Sequence, residues 1–173
     1  MANREALREL QGRLATRMQS ARSEAPVRSW LAVECAGHGL LFPLHEAGEI
    51  FALTTVLPVP HTQPWFVGVA NLRGGLHGVV DLGLFLGLRG SGTSADGARL
   101  LALNPALGVN CALLVDGLAG LRNADQLTVE RDDDAAARPA FAGERWRDAQ
   151  QRVWQELRLS ALAGHEQFLG VAG

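Results

Sequence analysis

The chain has 173 residues, 47% of them apolar, which is enough for one compact module with a core of its own. A net charge of −2 and an isoelectric point near 6.2 speak against a nucleic-acid binder, which carries a basic stripe. All 16 basic residues are arginine, so P-loop hydrolysis, Schiff-base catalysis and receiver-type phosphotransfer, all of which lean on a lysine, are excluded.

Residues 1–27 come first, with Leu7, Leu10, Leu14 and Met18 at helical spacing among Arg4, Arg8, Arg13, Arg17 and Arg22. This predicts an amphipathic N-terminal helix with a basic polar face, ended by Pro26. It reads as a helix docked on the body or a tail, with a membrane-surface or partner-helix role as the alternative. No continuous apolar segment occupies residues 1–25, which carry Glu5 and Glu9, and Cys35 and Cys111 lie in apolar surroundings. The expectation is a reduced, cytoplasmic protein.

From Arg28 the period changes to two. Leu31, Val33 and Cys35 alternate with Trp30, Ala32 and Glu34, and Gly37-His38-Gly39 turns the chain into Leu40–Leu44, a first hairpin. Glu46–Leu53 predicts a helical turn feeding a strand, and Leu57-Pro58-Val59-Pro60 an extended link. Then come two apolar runs, Phe66–Arg73 and Leu76–Leu82, separated by Gly74-Gly75. A two-residue glycine loop predicts a second hairpin with Arg73 opposite Leu76, Asn71 opposite Gly78 and Val69 opposite Val80. Both faces are apolar, as in a barrel wall or a covered strand. Gly68 and Gly78 weaken a strand unless another backbone passes close by. Asp81 is placed to cap a short helix through Leu86.

Residues 89–97 read as a flexible connection, whose Gly-Ser-Gly-Thr-Ser-Ala run echoes a dinucleotide loop but follows no strand. Strands are expected near 98–104 and 109–116, then within Leu118–Glu130, and after a charged loop at Arg152–Leu159. Ser160 would cap a last helix through Leu169. The most apolar stretch, Leu100–Leu121, is broken by Asn104, Pro105, Asn110 and Asp116, so no membrane insertion is expected. The fold class is all-β with short helices, built as paired small barrels.

The run Pro60, Trp65-Phe66-x-Gly68-Val69-Ala70-Asn71-Leu72-Arg73-Gly74, followed by Val79-Val80-Asp81-Leu82, resembles the signature of the CheW family of chemosensory adaptors. Glu49-Ile50 ahead of it, Leu113-Leu114-Val115-Asp116 behind it and the closing Leu157-Arg158-Leu159 to Phe168-Leu169 resemble family elements in family order. Trp65-Phe66, Ala70-Asn71 and Trp154-Gln155-Glu156-Leu157 are most similar to the PilI branch, which serves type IV pilus systems. Two departures stand out: His77-Gly78 replaces an apolar residue and proline, and Gly83 replaces an arginine after Asp-Leu. The resemblance implies two SH3-like five-stranded barrels in a CheW-like domain over residues 28–170, with barrels at 28–88 and 98–159 and a helix at 160–170.

What it implies about function is a non-enzymatic adaptor, recruited to inner-membrane receptor arrays, that couples methyl-accepting receptors to the regulatory domain of a CheA-type histidine kinase in control of twitching. The partner-binding residues would be Asn71, Arg73, Gly74 and Val69 on the hairpin, with Ala47, Glu49 and Ile50 on the other strip. An arginine beside a glycine turn could equally serve structure, for example by pairing with Asp81.

No catalytic, cofactor or metal residues are assigned. Cys35 and His38, with His45, His61 and His77 nearby, do not complete a zinc set. His77 and Asp81 share a strand face without a nucleophile elbow. Asp132-Asp133-Asp134 reads as a solvated loop. A barrel module that binds a small molecule in the groove between barrels is the rival reading.

Overall fold

The structure, a computed structural model, describes residues 2–23, 27–90 and 96–173, and in the N-terminal helix the side chains from Glu5 to Arg17. Pro26, expected to end that helix, and residues 91–95 of the expected connection lie outside the described residues. Helix α1 (Ala2–Ser23) is followed by strands β1 (Ser29–Cys35), β2 (His38–Pro43), β3 (Ala47–Ala52), β4 (Phe66–Leu72) and β5 (Gly75–Asp81). A short helix α2 (Leu82–Phe85) leads to β6 (Arg99–Leu103), β7 (Cys111–Val115), β8 (Gly117–Asn123), β9 (Thr128–Glu130), β10 (Ala142–Arg147) and β11 (Val153–Leu157). Helices α3 (Leu159–Ala163) and α4 (Glu166–Leu169) close the chain.

These strands form a six-stranded sheet in the order β8-β1-β2-β11-β10-β9 and a five-stranded sheet in the order β3-β6-β7-β5-β4. Each sheet therefore draws on both halves of the sequence. Barrels at 28–88 and 98–159 do not describe it, and one sheet has six strands instead of five. The reason lies in β2 and β11, which pair in parallel. Parallel neighbours need a long crossover, and here the crossover contains the whole second sheet.

Alternation along the strands fills three cores. Trp30, Ala32, Leu41, Leu127, Trp146 and Trp154 fill the interior of the first sheet, and Ala70, Leu72, Val79, Leu100, Ala112 and Leu114 that of the second. The other faces meet between the sheets, where Leu31, Val33 and Phe42 face Val80, Leu101 and Leu113, and α2, α3 and α4 add Phe85, Leu162 and Phe168. With both faces of the inner strands buried, a sequence that is apolar on both sides is what the architecture requires.

Two polar clamps tie the sheets together. Arg89 donates to Asp81 at 2.6 Å and to Asp116 at 2.9 Å, while Asp116 also accepts the backbone N–H of Ala36 in the β1–β2 turn at 2.6 Å. Asp81 accepts from Leu84 N at 3.0 Å as the expected cap of α2. The buried Glu46 carboxylate accepts from Leu159 N at 2.8 Å and from the Ser160 hydroxyl at 2.5 Å. Glu46 thus supplies the cap expected of Ser160, and the expected single last helix is two short ones. Of the helical turn and strand expected over Glu46–Leu53, the strand is β3, which already begins at Ala47 after a turn at 44–46, and its Gly48 lies so close to β6 that a Cβ would sit 2.7 Å from Ala102 O. Strand β10 stands where a charged loop was expected, because only Gly143 and Trp146 of its residues are buried.

Candidate functional site

The β4–β5 hairpin carries four of the residues singled out from sequence. Leu72 pairs with Gly75 and Asn71 with Leu76, so the loop is Arg73-Gly74, with φ of 52° and 77°. This corrects the expected Gly74-Gly75 loop. Two consecutive residues at positive φ make the primed turn whose twist matches the strands. Asn71 fixes it by accepting from Gly74 N through its side-chain oxygen at 3.0 Å. Because the register moves by two positions, Asn71 and Val69 still share a face with Leu76 and Gly78. An arginine in the left-handed region costs roughly 1 kcal/mol relative to glycine, and a strained non-glycine apex points toward a role for its side chain.

That side chain is 76% exposed and forms an ion pair with Glu49, itself 42% exposed, on β3. The pair joins the two expected strips, since β3 and β4 are the opposite edges of the five-stranded sheet. What brings the edges round is the segment after β3: Leu57 and Val69 exchange both backbone hydrogen bonds at 2.8 Å. Gly68 allows this approach, with φ of +146° and a Cβ position only 2.0 Å from Leu57 O. The backbone contact expected for Gly68 is present. At Gly78 the close neighbour is instead the Phe66 ring, at 3.0 Å from a Cβ.

Ala47 and Val69 are half-buried, whereas Ile50, Asn71 and Arg73 are exposed. Two further exposed residues join them, Leu57 and Leu76. Both share the outer face of Val69 and Asn71, because directly paired residues point the same way. The signal that could have found them is an apolar residue immediately outside a hairpin loop and another immediately before a Pro-rich link. The result is an apolar strip flanked by an exposed arginine-carboxylate pair, suited to binding another protein and lacking a nucleophile.

The other candidates are spent elsewhere. Asp81 is held by Arg89, so it is not the partner of Arg73. His77 Nδ1 lies 3.1 Å from Gly75 O and makes no pair with Asp81. Cys35 and Cys111 are buried, and burial pushes both thiols up to about 12, with the Asp116 charge adding to the effect at Cys35. His38, the cross-strand partner of Cys35, has its Nδ1 3.0 Å from Ala36 O at an exposed turn. Among the described residues no group of three His, Cys, Asp or Glu is disposed to hold a metal. Asp132 is no free acid but the partner of Arg138 and Arg145. A groove of about 950 Å³ runs along β2, β10 and β11 of the first sheet and under α2, with Leu84, Leu86, Val153, Leu157, Arg138 and Arg152 among the residues that line it. No described helix is long and apolar enough to cross a membrane.

The family model for the CheW-like domain matches residues 29–167. Protein PilI of Pseudomonas aeruginosa is 31% identical over 157 residues, covering 88% of this chain and 85% of that protein. The crystal structure of the scaffolding protein TtCheW from Thermoanaerobacter tengcongensis superposes with a TM-score of 0.64 at 17% identity, over 76% of this chain and 88% of that one, and shows the same fold. On its sequence match, the chain belongs to the CheW-like domain family of chemosensory adaptors, and its similarity to PilI supports a place in that branch.

Proposed function

We propose that this protein is a non-enzymatic adaptor that links a methyl-accepting receptor to the regulatory domain of a CheA-type histidine kinase, in the control of type IV pilus twitching. The observation that carries the reading is the solvent-facing Arg73–Glu49 pair at the closure of the second sheet. It unites the two strips that the family resemblance assigns to partner contact, and exposed Leu57 and Leu76 pair with Val69 and Asn71 on the hairpin that carries Arg73. Arginine at the edge of an apolar patch is a common anchor of protein interfaces. The groove along the first sheet and α2, apolar with arginines among its lining residues, offers a second surface on which an amphipathic helix such as a receptor hairpin presents would dock. Binding to both partners at once would hold the kinase in one geometry relative to the receptor, with no chemistry done by the adaptor itself.

The test mixes the full chain with a purified receptor cytoplasmic hairpin and a purified kinase regulatory domain and follows each by calorimetry. Micromolar affinity for each, and a ternary complex on sedimentation, are expected. Absence of binding to both sinks the proposal. Heat stability that rises with small metabolites alone would favour the groove as a small-molecule site instead.

A further inference from the structure

Helix α1 is left over from everything described above. Leu7, Leu10 and Leu14 on it are 60%, 59% and 53% exposed, so the body does not cover them. At about 100° per residue these leucines fall within roughly 60° of arc, Arg13 and Arg17 lie along one side of the stripe, and Glu5 and Glu9 lie on the far side of the helix. Arg13 is held toward Glu9 at 3.1 Å in a fully solvated pair. Charge divides sharply between helix and body. Residues 2–23 hold five arginines and two glutamates, a net +3, whereas the rest of the chain holds eleven arginines and sixteen acids, a net −5.

We propose that α1 lies flat on an anionic lipid surface, its leucine stripe in the headgroup region and its arginines among the phosphates, with the acidic body held away from the bilayer. A second copy of the chain fits less well. Continuing the Leu7, Leu10, Leu14 seam by heptads places Asn3, Arg17 and Ala21 in it, which leaves too few apolar positions for a helix pair. Three leucines and a cluster of arginines suit a shallow, reversible interfacial contact, and the helix is far too polar to cross.

The test adds the full chain to phosphatidylglycerol-phosphatidylethanolamine vesicles and to phosphatidylcholine vesicles, and measures co-sedimentation. Binding to the anionic vesicles alone is expected, weakening as salt rises from about 50 to about 300 mM. The double variant Arg13→Gln/Arg17→Gln should bind roughly 30-fold more weakly, and Leu10→Ser should also weaken binding. Both leave the β-body untouched. Amide exchange should slow on vesicle binding over residues 5–17 and nowhere in the strands. The proposal is overturned by binding to neither vesicle, by equal binding to both, by protection that maps to the body, or by dimers that Leu10→Ser returns to monomers.

Discussion

Arg73 and Glu49 form an ion pair across the two edge strands of one sheet, at the place where that sheet closes on itself. Such an exposed pair adds little to stability, below about 1 kcal/mol. Arg73→Ala should therefore shift the urea midpoint only slightly, while weakening partner capture roughly 30-fold, as loss of a hot-spot arginine of about 2 kcal/mol would. Calorimetry on the variant measures this directly. The swapped variant Arg73→Glu/Glu49→Arg keeps an ion pair but not the guanidinium at the turn, and should bind as poorly; full recovery would move the role from Arg73 to the pair itself.

Gly68 is the position least tolerant of a side chain. A methyl group there meets Leu57 O at 2.0 Å with φ at +146°. Gly68→Ala should lose about 3 kcal/mol or more, since backbone must part from backbone. Gly87, at φ +68° with nothing within 4 Å of its Cβ position, has only the conformational penalty to meet, and Gly87→Ala should lose about 1 kcal/mol. Equal losses in chemical denaturation would contradict this account of the closure.

Arg89 fills the space that Gly83 leaves open: a Cβ on Gly83 would lie 3.0 Å from Arg89 Nε. Burial works against its charge, but hydrogen bonding to and attraction by Asp81, then Asp116, outweigh it and hold the guanidinium above its ordinary value. Removing it strands two carboxylates, so Arg89→Met should destabilise by about 3 to 5 kcal/mol. Arg89→Lys should recover only part of that, because one ammonium cannot reproduce a fork that bonds two acids.

Asp148 gives the acid limb of stability a specific source. The Trp154 indole N–H donates to its carboxylate at 3.0 Å, and the backbone N–H groups of Arg152 and Gln150 also donate, holding its pKa below the ordinary 3.8. A carboxylate depressed in the folded state stabilises above its unfolded value, and that contribution fades as pH falls through the folded value. Melting temperatures of the wild type should therefore drop more steeply below pH 3.8 than those of Asp148→Ala, whose deficit near neutrality should shrink in acid.

Both thiols should be silent in the native protein. With values pushed up to about 12, only about one part in ten thousand is thiolate at pH 8. A disulfide-exchange reagent should titrate neither Cys35 nor Cys111 until denaturant is added, and rapid labelling of either in buffer would show that the inter-sheet core opens locally.

Alternation at Leu31–Cys35 made β1 legible, a short apolar run that ends at Asn104-Pro105 made β6 legible, and a carboxylate before an apolar turn made the Asp81 cap legible. The signature hairpin was read with the right faces and the wrong loop, because Gly-Gly looks like a turn while the chain bends at Arg73-Gly74, a choice visible only in φ. Strand β10 was hidden because Glu144, Arg145 and Arg147 mask a strand that buries one tryptophan. The seven residues expected to contact partners were picked one by one, without the ion pair that joins two of them, Arg73 and Glu49. Arg73 could be imagined beside Asp81, in its own hairpin, whereas Glu49 arrives through barrel closure and Arg89 takes Asp81 from eight residues on. Local patterns name strands; only long-range pairing says which strands are neighbours.

The interleaving of the two sheets has a genetic corollary. A break placed between residues 90 and 96 would leave β1–β5 on one fragment and β6–β11 on the other, so neither fragment would own a complete sheet. Each would be missing the strands that shield its apolar edges, and the two could mature only in each other's company. Duplication, deletion or swapping of this module between genes is thereby restricted to the unit as a whole, and a split gene would act as a logical AND between its two products.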